Sequence, residues 1–236
     1  MKISGIQPTS LIDYPKHIST IIFTQGCNMN CSYCHNSSLI PFAKKGEIET
    51  DKVKKYLKDR KHLIEAVSIT GGEPLLQNDI IEFIEWIKKD LKLKVKLDTN
   101  GSKPMVLMDL AKANLLDYVA MDIKMPLDRY EELGGVTKAE GFLDAYEMSI
   151  NTLLKFSDNF DYEFRTTTAP FFHTKKDIES IAKVINGADN YYIQNFKGND
   201  HINDLSLNEN RSFTEEELIE LKEIAAKYVK NAEIRN

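Results

Sequence analysis

The chain has 236 residues, 42% hydrophobic and 28% charged, with 31 Lys and Arg against 36 Asp and Glu, a net charge of −5. That length suits one domain with a proper core, and the mild acidity argues against a nonspecific nucleic-acid surface. No apolar run approaches the ~20 residues of a membrane span, and the opening MKISGIQPTSLIDYPKH lacks a signal peptide's apolar core, so a cytoplasmic protein is expected. The three cysteines, Cys27, Cys31 and Cys34, fall within eight residues of each other. Thiols so close together do not staple a large fold through disulfides.

In chain order, β-rich runs alternate with helical patterns. A strand is expected at Ile18–Thr24, then a helix over Asp51–Leu63 with Val53, Leu57, Leu63 and Ile64 near one stripe. Ala66–Thr70 reads as a strand, followed by a helix over Asn78–Leu91, with Asn78 as N-cap and Ile80, Ile84, Ile87 and Leu91 at helical spacing. Strand Lys94–Asp98 precedes helix Met105–Leu116, and strand Tyr118–Asp122 precedes helix Ala139–Phe156. Strand Tyr162–Thr168 leads to helix Lys175–Ile185, capped by Thr174 and striped by Ile178, Ile181 and Ile185. Strand Tyr191–Gln194 is followed by helix Glu215–Lys230, opened by a capping box of Thr214 and Glu217. Such alternation implies βαβ units and parallel strands, in either an open doubly wound sheet or an incomplete barrel. The expected organisation is one domain over 1–236, its core spanning about 18–195 with a helical extension over about 196–236.

The polar and Gly-rich clusters fall just after the strands. They are Gln25-Gly26-Cys27, Gly71-Gly72-Glu73-Pro74, Asp98-Thr99-Asn100-Gly101 and Asp122-Ile123-Lys124, with Arg165 on strand five and Gln194 ending strand six. In parallel α/β folds the carboxyl ends of the strands share one face, where sites are built, so these clusters are expected to converge.

Cys27-x₃-Cys31-x₂-Cys34 supplies three soft ligands in one loop, suited to zinc, copper or an iron–sulfur cluster. With His35 as fourth ligand the loop also fits a closed Cys₃His zinc site. Cys31-Ser-Tyr-Cys34-His35 matches the haem-attachment string, which is discounted because attachment needs export. Three thiolates on a four-iron cluster leave one iron open, as catalytic sites require. Gly71-Gly72 permits close backbone approach, and Glu73 offers an acceptor for an ammonium group; a tight turn is the plainer reading. Asp98 can orient hydroxyls or bind a cation, or the Asn-Gly pair simply makes a turn. Asp122 and Lys124, two apart, face one side and call for a partner, either a polar ligand or a salt bridge. Arg165 defaults to the surface.

These residues resemble the radical S-adenosylmethionine superfamily, in which a Cys-x₃-Cys-x₂-Cys loop follows the first strand and a GGEP segment the second. Ser10-Leu-Ile-Asp-Tyr-Pro15, Phe23-Thr-Gln-Gly-Cys27, Tyr33-Cys-His-Asn36 and Leu97-Asp-Thr-Asn-Gly101 further resemble the activating enzymes of glycyl radical enzymes. Within these, the short length and opening strings are most similar to the anaerobic ribonucleoside-triphosphate reductase activating proteins. The pyruvate formate-lyase activating enzyme is a near relative. The resemblance covers roughly residues 3–195.

It implies a partial (β/α)₆ TIM-like barrel and a 4Fe–4S cluster on Cys27, Cys31 and Cys34, the fourth iron chelated by S-adenosylmethionine. One electron then cleaves the cofactor to methionine and a 5′-deoxyadenosyl radical, which takes hydrogen from a glycine of a partner enzyme. The implied contacts are Gly71, Gly72, Glu73 and Pro74 at the methionine ammonium, and Tyr33 and His35 at the adenosyl end. Asp122, Lys124 and Arg165 would meet the cofactor, and Asp98 and Thr99 a monovalent cation. Asp13 matches an aspartate near where the glycyl loop enters, although Asp13-Tyr14-Pro15-Lys16 departs from the relative's D-G-P-G. The ribose-contacting histidine after strand six is missing, leaving Gln194 as the polar candidate. All three cysteines are committed, so electrons are expected from a separate donor such as a flavodoxin or ferredoxin, in an anaerobic setting. The expected partner is a glycyl radical enzyme, with no nucleic acid and no membrane. The alternatives are a formate-lyase-type activase, a radical enzyme acting on a small molecule or tRNA, and a zinc-stabilised binding module.

Overall fold

The computed structural model describes residues 1–42 and 48–235. Its strands, in chain order, are β1 (Ile3–Ser10), β2 (Ser19–Thr24), β3 (Ala66–Gly71), β4 (Lys94–Thr99), β5 (Tyr118–Asp122), β6 (Asp161–Thr168), β7 (Asn190–Asn195) and β8 (Asn231–Arg235). They form one sheet in strict sequence order, with β1 antiparallel to β2 and every later pair parallel. Helices α1 (Thr50–Arg60), α2 (Ile80–Trp86), α3 (Pro104–Lys112), α4 (Phe142–Lys155), α5 (Lys175–Val184) and α6 (Glu215–Ala225) follow β2 to β7 in turn.

The strand order decides between the two architectures. A doubly wound sheet reverses direction at a switch point. Here each new strand adds to the same edge, so the six βα units wind in one sense into a partial (β/α)₆ barrel. β8 adds a further parallel strand, and β1 covers the other edge.

The six expected strands are β2 to β7. The helices are trimmed by their real stop signals. α1 ends at Arg60, which leaves Leu63 exposed while Val53, Leu57 and Ile64 are buried. Asn78 is not the cap of α2, which begins after Asp79 and runs into a π-helical turn at Ile87–Leu91. The capping boxes of Thr174 with Asp177 and Thr214 with Glu217 are both present. The segment after Asn195 is not wholly helical, since α6 stops at Ala225 and the chain returns to the sheet as β8.

Alternation along the strands sorts the core. Val67, Ile69, Val95, Leu97, Val119, Met121 and Phe164 face the helices in one large apolar cluster. The residues between them turn into the barrel, where Tyr14, Ala66, Tyr118 and Ala120 form a small plug at the amino ends of the strands. Among the described residues, no helix is long and apolar enough to cross a membrane.

Candidate active site

A cavity of about 320 Å³ lies at the carboxyl ends of the parallel strands. Every residue that the sequence assigns to the cluster or the cofactor lines it except Glu73 and Pro74, and Gln194 lines it as well. The wall from the β2 end carries the three thiols, and the wall from β4, β5 and β6 carries Asp98, Asp122, Lys124 and Arg165.

The cysteine loop has little regular structure and is held by its neighbours. Gly26 and Cys27 N–H donate to the carbonyls of Leu39 and Ile40 at 2.8 and 3.0 Å. From the far end of the chain, Asn203 and Asp204 N–H donate to the carbonyls of Cys34 and Ser32 at 3.1 and 2.8 Å. The Asn203 side chain adds bonds to the Cys31 carbonyl and to Asn30. Burial pushes the Cys27 thiol up to about 12 and raises that of Cys31 as well, so ligation must displace protons.

His35 bears on the zinc reading. Its Nε2 donates to the Lys197 carbonyl at 2.8 Å and its ring stacks on Phe196, an arrangement that directs it away from a thiolate shell. Among the described residues, no three His, Cys, Asp or Glu side chains gather as around a single ion. Three thiols opening on one cavity without a single-ion arrangement suit a cluster, in which each sulfur binds a different iron.

The GGEP segment has a different local logic from the expected one. A Cβ on Gly72 would lie 2.2 Å from the Gly26 carbonyl oxygen, and one on Gly71, at φ +122°, 2.3 Å from the Thr24 nitrogen. The two glycines therefore let β3 pass against the root of the cysteine loop. Glu73 is fully buried and accepts from Leu75 N–H at 3.1 Å, Thr99 Oγ1 at 2.8 Å and Asn100 N–H at 2.6 Å. Burial raises its carboxyl to about 7 against the pull of those donors. Its carboxylate ties the β3 end to the β4 end and does not reach the cavity.

Asp122 and Lys124 pair with each other at 3.0 Å, and Arg165 Nε joins Asp122 at 3.0 Å. Burial works to raise Asp122, but Arg165 and Lys124 outweigh it and hold the carboxyl at about 2. The backbone beneath is fixed at each polar group. Tyr146 donates to the Asp122 carbonyl, Thr166 to that of Ile123, and Lys124 N–H donates to Tyr130. His173, which sequence reasoning passed over, donates from Nε2 to the Lys124 carbonyl at 2.9 Å while its Nδ1 accepts from Ala169 N–H. Burial lowers its pKa and keeps it neutral for that role.

Two expectations change. The donor set at Asp98 and Thr99 does not fit a separate monovalent cation. Asp98 Oδ1 lies 2.5 Å from Lys96 Nζ and its Oδ2 faces Arg165 at 3.6 Å, so both of its oxygens already meet a cationic side chain of this chain. Asp13 comes from the connection between β1 and β2, at the amino ends of the parallel strands, and lies 3.8 Å from Lys96. It does not line the cavity.

Sequence reasoning also missed Asn100 as more than a turn residue. Ser102 N–H donates to Asn100 Oδ1 at 3.0 Å, which fixes the orientation of the amide. Its NH₂ then faces Asn28 Oδ1 at 3.1 Å and Cys27 Sγ at 3.7 Å. Tyr33 lies against Phe172, and its buried hydroxyl has no partner among the described residues. Three thiols, a set of paired carboxylates and cations, and the unpaired Tyr33 hydroxyl around one cavity fit a cluster with a zwitterionic cofactor beside it.

Comparisons with known proteins agree with this geometry. The family model described as the Radical SAM superfamily matches residues 21–186. A Methanocaldococcus jannaschii protein, provisionally named a glycyl-radical enzyme activating enzyme, is 39% identical over 99% of this chain and 95% of its own length. The pyruvate formate-lyase-activating enzyme of Clostridium pasteurianum is 31% identical over 62% of this chain and 63% of its own. Among solved structures, Streptococcus suis SuiB bound to S-adenosylmethionine superposes with a TM-score of 0.63 at 18% identity. That match covers 89% of this chain and 48% of SuiB, about half its length, and shows the shared fold. The chain belongs to the radical SAM superfamily and, within it, to the glycyl-radical enzyme activating enzymes.

Proposed function

We propose that this chain uses S-adenosylmethionine to generate a glycyl radical on a partner enzyme, and that the partner is an anaerobic ribonucleoside-triphosphate reductase. The observation that carries the reading is the convergence of Cys27, Cys31 and Cys34 with Asp122, Lys124 and Arg165 on one cavity. Its chain-long likeness to an activating enzyme supports the activase class over a small-molecule enzyme. A 7-carboxy-7-deazaguanine synthase of Clostridium acetobutylicum matches only 46% of the chain.

Superfamily members use a 4Fe–4S cluster and S-adenosylmethionine, which together supply a carbon radical at C5′ by one-electron reductive cleavage. Cys27, Cys31 and Cys34 would hold the cluster, leaving one iron for the cofactor. Lys124 and Arg165 would present positive charge to its carboxylate, while Asp122 would offer an acceptor. Tyr33, packed on Phe172, gives the cavity an aromatic side, which would help to keep water from a species able to attack most C–H bonds. Fixing the reacting carbon against one target hydrogen is a positioning task, which a cavity pinned at each strand end performs.

The ribonucleotide reductase assignment rests on the short length and on the Ser10–Pro15, Phe23–Cys27 and Tyr33–Asn36 strings. The Clostridium pasteurianum match favours a second reading, activation of a formate-lyase-type enzyme. The test is anaerobic reconstitution followed by reaction with a reductase whose glycines carry deuterium at the α-carbon. About four irons per chain and deuterium in the 5′-deoxyadenosine product are expected. Stoichiometric zinc, or product without deuterium, overturns the reading.

A further inference from the structure

We propose that Lys96 is a built-in counter-ion that replaces the monovalent cation at the methionine end of the cofactor site, making S-adenosylmethionine binding by this chain independent of potassium and sodium. Lys96 lies on β4 two residues before Asp98, so the two side chains share the inward face of the strand. The Lys96 side chain is only 2% exposed, and its Nζ meets Asp98 Oδ1 at 2.5 Å. It does not line the cavity whereas Asp98 does, so the ammonium acts from one layer below and no ligand can displace it.

The charges make the case. At the floor of the cavity the carboxylates of Asp98 and Asp122 face the cations Lys96, Lys124 and Arg165. Around Asp98 and Asp122 themselves, two negative and three positive groups leave one positive charge, the sign that a bound carboxylate requires. Without Lys96 the count is even, and an incoming carboxylate would need a further cation to sit beside Asp98. Asp13 also faces the ammonium, at 3.8 Å and from the side away from the cavity, beyond hydrogen-bond reach, so Asp98 is the carboxylate that Lys96 bonds directly. Glu163 is taken up by a two-pronged pair with Arg235 at 2.7 and 2.8 Å and lies 3.9 Å from Arg165. Burial alone would raise Asp98, yet Arg165 and Lys96 hold it below the usual carboxylate range, so it stays charged and needs this partner.

The proposal rests on the superfamily's use of S-adenosylmethionine and not on which enzyme is activated. Equilibrium dialysis of radiolabelled S-adenosylmethionine against the cluster-loaded protein tests it, in potassium chloride and in choline chloride at equal ionic strength. The wild-type dissociation constant should be the same in both salts within about twofold. Lys96→Met should weaken binding at least about tenfold in choline and regain it in potassium, whereas Lys96→Arg should remain indifferent to the salt. Wild-type binding that tightens about tenfold in potassium overturns the proposal whether or not the variants fold, and so does a folded Lys96→Met that binds as the wild type in choline. No binding in either salt instead contradicts the family reading and removes this proposal with it.

Discussion

Asp122 carries two cationic partners and a carboxyl held at about 2, below the ~3.9 of an unfolded chain. A depressed carboxylate contributes stability that is present above the unfolded value and is lost as pH falls through the folded one. Asp122→Asn should therefore cost about 1 to 2 kcal/mol at pH 6, allowing for partial exposure. The gap from wild type should close between about pH 4 and 2, as read by urea unfolding across that range. Asn100 makes a second prediction. An N–H donated to a ligating sulfur stabilises the more negative, reduced cluster, so Asn100→Ala should lower its potential. A tenfold lower ratio of reduced to oxidised cluster at a fixed poise, equal to about 59 mV for one electron, is the expected size in a redox titration followed by electron paramagnetic resonance. Asp122 and Lys124 were legible because two charges on one strand face stand out. Lys96 and Asn100 were not, since a lysine in KVKLD reads as a solvated strand position and an asparagine before glycine as a turn. Only the path of the barrel interior reveals what they face.

The six βα units of the barrel were readable because each strand has β-branched or aromatic residues and each helix an apolar stripe. β1 was not, as Gly5 and Pro8 interrupt its pattern, and only the edge of the sheet tolerates them. β8 follows α6 so closely that its residues merge with a helical reading. The segment between β7 and α6 proves to be part of the site. Asn203 and Asp204 brace the carbonyls of the cysteine loop, and Lys197 holds His35. Asn203→Ala removes two side-chain bonds to that loop and should cost about 1 to 2 kcal/mol. It should also lower the iron retained after gel filtration of the reconstituted protein, a loss that wild-type chain under the same handling does not show.

At the scale of the molecule, the barrel interior is an ion-pair ladder running down from the cavity. Arg165 links Asp98 and Asp122 to Glu163, and Glu163 accepts from Tyr118 at 2.5 Å and from Arg235 on the last strand. Arg235 also lies over the Tyr192 ring at 3.6 Å. The last strand thus buttresses the wall of the cavity that carries Asp98, Asp122 and Arg165, although it lies outside the span of the family match. Arg235→Ala leaves Glu163 buried with a charge deficit and should destabilise the fold by about 3 kcal/mol in urea unfolding. Arg235→Lys should recover only part of that, because a point charge cannot form both bonds. The central claim joins this barrel to a partner protein: its three thiols and facing cations generate a radical on another enzyme's glycine. It is tested most directly by electron paramagnetic resonance of the loaded chain mixed anaerobically with S-adenosylmethionine, a reductant and the glycyl radical enzymes of the same organism. The account predicts a glycyl radical doublet on one of them, absent with Cys34→Ala; no doublet on any of them, with a fully loaded cluster, contradicts it.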